Sequence, residues 1–245
     1  MAASQALARA ALAFFLAGCA GVAPDCSVEV DYASKYVARG AVLFDGPAVQ
    51  PALTAVVESG GGTWSGGAWS TIDASDEAGH SGEWTEVDVH VEYERSLGPA
   101  TLTLGLLRYF YPRTGFPASA EAHAAIACEN ELATPTLHLW YDYDQADGAY
   151  FSFDLARDFD LDERWNLALS ASAGWMAHGQ GAYYFGVDSG GFSDLTTSAA
   201  LAFAPSEKVG FTFTLGSSRV LDGDYRDAVD DADSAWVMVG ATFGF

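Results

Sequence analysis

Ser234-Ala-Trp-Val-Met-Val-Gly-Ala-Thr-Phe-Gly-Phe245 is the stretch on which the fold turns. In an extended chain Val237, Val239, Ala241, Phe243 and Phe245 lie on one face, and Trp236, Met238, Gly240, Thr242 and Gly244 on the other. An apolar strand with an open edge is a template for aggregation, and chain termini usually fray. Closing such a strand into a barrel removes the edge, so the segment predicts one staff of a closed sheet.

The same alternation repeats upstream. Trp84-Thr-Glu-Val-Asp-Val-His-Val-Glu-Tyr-Glu94 sets Thr85, Val87, Val89, Val91 and Tyr93 against Glu86, Asp88, His90, Glu92 and Glu94. Thr136-Leu-His-Leu-Trp-Tyr-Asp-Tyr-Asp144 sets Leu137, Leu139, Tyr141 and Tyr143 against His138, Trp140, Asp142 and Asp144. Further strands read at 27–38, 48–58, 63–73, 100–111, 149–159, 165–177, 192–204 and 209–219. Single-chain bacterial barrels have an even strand number, with short turns at one end and long loops at the other. Parity therefore demands a strand between Tyr111 and Pro135, and Ser119–Cys128 supplies it, although its Ala-rich run suits a helix by propensity. The expectation is an all-β chain: a single antiparallel up-and-down transmembrane β-barrel of about twelve strands over residues 27–245.

Composition narrows the function. The chain has 245 residues, is half apolar, and holds 26 Gly, 11 Lys plus Arg and a net charge of −22. Nucleic acid is excluded as a partner, because phosphate contacts need a basic face. Residues 1–18 carry Arg9 and then the apolar run at 10–17, too short to span a bilayer and suited to an export signal. The run ends on Leu16-Ala-Gly-Cys19, which resembles a bacterial lipoprotein signal; that likeness implies lipidation of Cys19, with 19–26 as a short linker. Cys26 and Cys128 then remain as an even pair in an oxidising compartment, at the same barrel end by parity, and a disulfide between them is expected.

Two resemblances add to this. The carboxy-terminal strand is similar to that of bacterial outer-membrane barrels, in which a terminal aromatic and another two residues earlier are read by the barrel-insertion machinery; Phe243 and Phe245 hold those places. Ser34-Lys-Tyr-Val-Ala-Arg-Gly40, followed by Asp45-Gly-Pro-Ala-Val-Gln-Pro51, resembles the opening of an uncharacterised bacterial outer-membrane family marked by a Tyr-x-x-Arg-Gly motif. Ala38 departs from it, since that family usually has an aromatic before Arg-Gly. The resemblance implies a porin-like protein in the outer membrane with no settled substrate, in contact with outer-membrane lipid and lipopolysaccharide.

Sorted by parity, the predicted pore-lining residues are Glu86, Asp88, His90, Glu92, Glu94, His138, Trp140 and Asp142, with Glu121 and His123 on a neighbouring strand. Lys35 and Arg108 are the bases expected to pair with them there, because a charge facing lipid is costly. Facing this side, strands 165–177 to 234–245 send in small groups such as Ser170, Ser172, Thr196, Ser198 and Thr212. A carboxylate-lined interior favours cations, so the chain reads as a channel for small cationic or neutral solutes. Trp84, Trp165, Trp175 and Trp236 sit at strand ends, as interfacial girdles do.

Rival readings stay open. One is a plugged structural or adhesive barrel; another is a secreted soluble β-sandwich binding carbohydrate; a third is a barrel hydrolase using His80 or His178. The chain has no Gly-x-Ser-x-Gly, no His-Glu-x-x-His and no phosphate-binding Gly loop, and neither a catalytic residue nor a cofactor is assigned. His90, His123 and His138 lack metal-ligand spacing, so no metal site is assigned either. The acidic loop at 222–233 lacks the ordered spacing of a calcium loop and reads as a solvated run.

Overall fold

The computed structural model describes residues 23–75 and 79–245, so the expected export signal and Cys19 lie outside the described residues. The first strand, β1 (Asp25–Ala33), leads into a short hairpin of β2 (Tyr36–Ala38) and β3 (Ala41–Phe44). Five long strands follow: β4 (Ala48–Ser59), β5 (Gly62–Asp73), β6 (Trp84–Leu97), β7 (Ala100–Phe110) and β8 (Ser119–Cys128). Next come β9 (Thr134–Asp142), β10 (Gly148–Asp160), β11 (Trp165–Met176), helix α1 (His178–Phe185) and β12 (Gly191–Ser206). The chain ends with β13 (Val209–Val220), the single turn α2 (Gly223–Asp227) and β14 (Asp233–Gly244). All strands except β2 and β3 form one closed antiparallel barrel of twelve.

Closure is made by β14 against β1, with Val28 opposite Phe243 and Tyr32 opposite Val239. The terminal strand therefore has partners on both sides, as its apolar alternation requires. The Ala-rich segment Ser119–Cys128 is a strand because ladders to β7 and β9 satisfy its backbone on both edges, which outweighs its helical propensity. Leu53, Leu104, Leu106, Leu137, Leu139, Phe153, Phe213, Val239 and Phe243 are exposed on the outward face. An apolar belt of this extent around a closed sheet suits lipid and not water, and it removes the soluble sandwich.

Three expectations are corrected. The strand read at 27–38 stops at Ala33, because Ser34 N–H donates to Val237 O while Ser34 Oγ accepts from Val237 N–H, which ends the ladder in a bend. Trp236 faces inward, where its ring lies against Gly216, and so does not join the girdle; Trp84 and Trp165 are exposed. Cys26 and Cys128 are both free. They share the short-turn end, but β1 and β8 stand five strands apart around the wall, beyond the ~6 Å between Cα atoms that a disulfide tolerates.

Candidate functional site

Strand registers assign every lumen-facing position. Glu86, Asp88, His90, Glu92 and Glu94 of β6 stand opposite Thr71, Trp69, Gly67, Ser65 and Thr63 of β5 and share their inward face. Glu121 and His123 of β8 stand opposite Asp142 and Trp140 of β9, and His138 opposite Ser152 of β10. Among the described residues, no inward-facing strand position carries Lys or Arg.

In the inner half the side chains form short polar pairs. His123 Nε2 lies 3.0 Å from Glu92 and His138 Nε2 lies 3.1 Å from Asp154. The His138 ring stacks on Trp140 at 4.7 Å, and His123 stacks on the same indole at 6.1 Å. The histidines thus engage carboxylates on separate strands, and among the described residues no cluster of three or more metal-ligating groups forms.

The outer half is filled by elements that the strand pattern does not predict. The β2–β3 hairpin folds back into the barrel mouth on a two-residue turn in which Arg39 and Gly40 both have positive φ, 50° and 83°. That is the twist of a type I′ turn, which suits a right-twisted ribbon. Gly40 is needed twice over, since a Cβ there would also meet Asp194 Cβ at 2.7 Å. Tyr36 packs on Trp69 with ring centroids 5.4 Å apart and lies beside the Glu86 carboxylate.

Arg39 ends in a closed cage. Nη1 and Nη2 donate to the two Glu121 oxygens at 2.6 Å each, and Nη1 also donates to Gln180 Oε1 at 3.2 Å. The guanidinium carbon lies 4.8 Å from the Tyr150 ring centroid, 5.4 Å from Tyr184 and 5.6 Å from Trp140. Tyr109 Oη donates to Glu121 at 2.7 Å, leaving that carboxylate fully engaged. The Glu121 side chain is 2% exposed and that of Arg39 12%.

Helix α1 brings in Gln180 and Tyr184. It is flanked at Gln180 by Gly179 and Gly181, whose missing side chains let the helix press on the Ala146 carbonyl and on Tyr225. Its end is closed by Gly186 in the left-handed region, whose N–H reaches Ala182 O and Gly181 O. Tyr225, fully buried, stacks on Phe185 at 4.6 Å and donates to Ser189 O, so α2 buttresses α1 from outside. The acidic loop is therefore partly structural: Asp222 caps α2, Asp231 grips Lys35, and Asp233 takes Arg226 and Arg219.

Several predicted site residues have other posts. Lys35 lies at the outer mouth, 2.6 Å from Asp231 and 3.0 Å from Asp45, where the Asp231 hydrogen bond holds its ammonium above the usual lysine range. Arg108 stands opposite Val89 and Ala120 on the outward face, bound to Asp144 at 2.5 Å and lying over Phe110. Asp142 faces inward but is 3% exposed and is used by the loop, accepting from Ser119 Oγ and from the Asp144 and Gln145 amides. Arg39, Tyr150, Gln180 and Tyr184 are the residues that strand reading misses; the Tyr36-x-x-Arg39-Gly40 motif is the signal that marks the hairpin.

Solved outer-membrane proteins share this architecture. The KdgM porin matches with a TM-score of 0.55 at 9% identity, covering 89% of this chain and 99% of that one. The NanC porin gives 0.54 at 12% identity, over 89% and 98%. The COG4313 outer membrane channel from Pseudomonas putida F1 gives 0.54 at 8%, over 92% and 97%. At such identities the likeness is one of fold, and together with the lipid-facing belt it puts the barrel in the bacterial outer membrane. No curated protein matches the sequence. A bacterial family described as protein of unknown function (Gcw_chp) matches residues 19–243, nearly the whole chain, and the protein belongs to that family.

Proposed function

We propose that the protein is a porin-like channel with an acidic lumen that passes small cationic or neutral solutes, the β2–β3 hairpin and α1 forming its constriction. The observation that carries this reading is the one-sided charge of the interior. Glu29, Glu92, Glu94, Asp154 and Asp158 are half-buried or exposed in the inner half, while the described wall positions facing them carry no Lys or Arg. Carboxylates on a water-filled passage concentrate cations and repel anions. Permeation then requires the hairpin to yield.

The filled outer half favours a second reading, a closed barrel with a structural or adhesive role. Single-channel recording of refolded protein in a planar bilayer under a salt gradient separates the two. Cation-selective steps are expected, with selectivity lowered by Glu94→Gln combined with Asp158→Asn. Insertion without any conductance would leave the closed barrel.

A further inference from the structure

The cage around Arg39 is complete without the hairpin that enters it. Glu121, Tyr109, Trp140 and Tyr150 belong to the barrel wall, and Gln180 and Tyr184 to α1. The hairpin contributes only the guanidinium. Its own ladder is three and four residues long, too short to be stable without what it docks against. If the hairpin withdraws, a carboxylate, an amide oxygen and three aromatic faces remain around a hole shaped for a flat cation.

We infer that this cage is a binding site for guanidinium-bearing solutes, and that Arg39 is a tethered occupant that such a solute displaces. The donor and acceptor chemistry selects the class. A guanidinium offers paired N–H groups to both Glu121 oxygens and one more to Gln180, with its flat faces against the rings. A methylammonium is a point charge that cannot span both carboxylate oxygens, and tetramethylammonium donates nothing, so both leave buried acceptors unpaired. As a statement of what the channel carries, this rests on the channel reading above; as a statement of binding it does not.

The test uses the refolded full barrel carrying Arg39→Ala, with methylguanidinium, methylammonium and tetramethylammonium chlorides as probes and thermal stabilisation as the readout. Methylguanidinium is expected to stabilise R39A with an apparent Kd at least about tenfold below that of either other cation. The effect should be weaker on wild type, where the solute must compete with the tethered Arg39, and absent on R39A combined with Glu121→Gln. Equal stabilisation by the three salts, or none, overturns the inference. If R39A does not refold alone, its refolding yield in methylguanidinium against methylammonium becomes the readout, and equal yields overturn the inference in the same way. In a planar bilayer, silence of wild type and R39A alongside selective stabilisation removes the channel reading and upholds the cage.

Discussion

Replacing Glu121 by Gln removes the charge that holds the hairpin in the barrel mouth, and the structure sets the size of the effect. The pair is bidentate at 2.6 Å, with side chains 12% and 2% exposed, so solvent screens it little. Breaking a buried pair by neutralising one partner typically costs ~3–5 kcal/mol, because the other charge stays buried and unpaired. Gln keeps one acceptor and the three rings stay in place, which points to the lower end, about 3 kcal/mol. The barrel keeps its ladders, so the loss falls on hairpin docking and raises the undocked population roughly 100-fold. Trypsin reads that population, since Arg39 is a cleavage site only when the hairpin is out and cleavage of an opened segment follows its equilibrium population. The product to quantify is the new amino-terminus at Gly40. Arg226 and Asp233 lie at a similar distance, 2.7 Å, but are more exposed, so Asp233→Asn serves as the control and should leave Gly40 formation unchanged. A Gly40 terminus that forms from E121Q no faster than from wild type would refute the latch.

Three other outcomes check the architecture. Phe213 and Thr212 are neighbours on opposite faces of β13; Phe213→Arg should cost ~2–4 kcal/mol of folding into vesicles by meeting lipid, while Thr212→Arg meets the lumen and folds near normally. Equal losses would refute the assignment of faces. Gly67→Ala places a Cβ against the Leu53 carbonyl, part of a hydrogen-bonded strand that cannot step aside, and should lower stability to urea by about 1–3 kcal/mol. Cys26 and Cys128 should both be alkylated without reductant; a mass showing them bridged would contradict the placement of β1 and β8 across the barrel.

Period-two alternation made the wall readable because each face answers to a different solvent. Val87, Val89 and Val91 meet lipid while Glu86, Asp88 and Glu92 meet the interior, so the strand states its own orientation. The rule weakens where the membrane ends. The cost of a charge facing hydrocarbon points Arg108 to the lumen, yet it stands at the outer rim, where an outward side chain can lie over Phe110 and reach Asp144. Cys26 and Cys128 show a second limit: alternation and parity fix the height of a residue in the barrel but not its distance around the circumference.

The outer plug escaped for a different reason. Tyr36 to Ala38 reads as the end of the first wall strand at 27–38, and Gly179 and Gly181 argue against a helix at 178–185 by propensity alone. Tertiary contacts decide both segments, and local pattern does not report them. One elementary argument does reach the hairpin. Glu121 faces a lumen whose described wall carries no Lys or Arg and whose His123 and His138 sit on Glu92 and Asp154, and a carboxylate 2% exposed must be paired or protonated. A base therefore has to arrive from a loop. The loop must turn back tightly enough to put a long cationic side chain at the middle of the mouth, which requires positive φ at its tip. Arg39-Gly40 meets both conditions, and Lys35, four residues earlier, is held at the rim by Asp45 and Asp231. Charge balance across the barrel thus predicts an inward-folded loop where strand periodicity predicts only more wall.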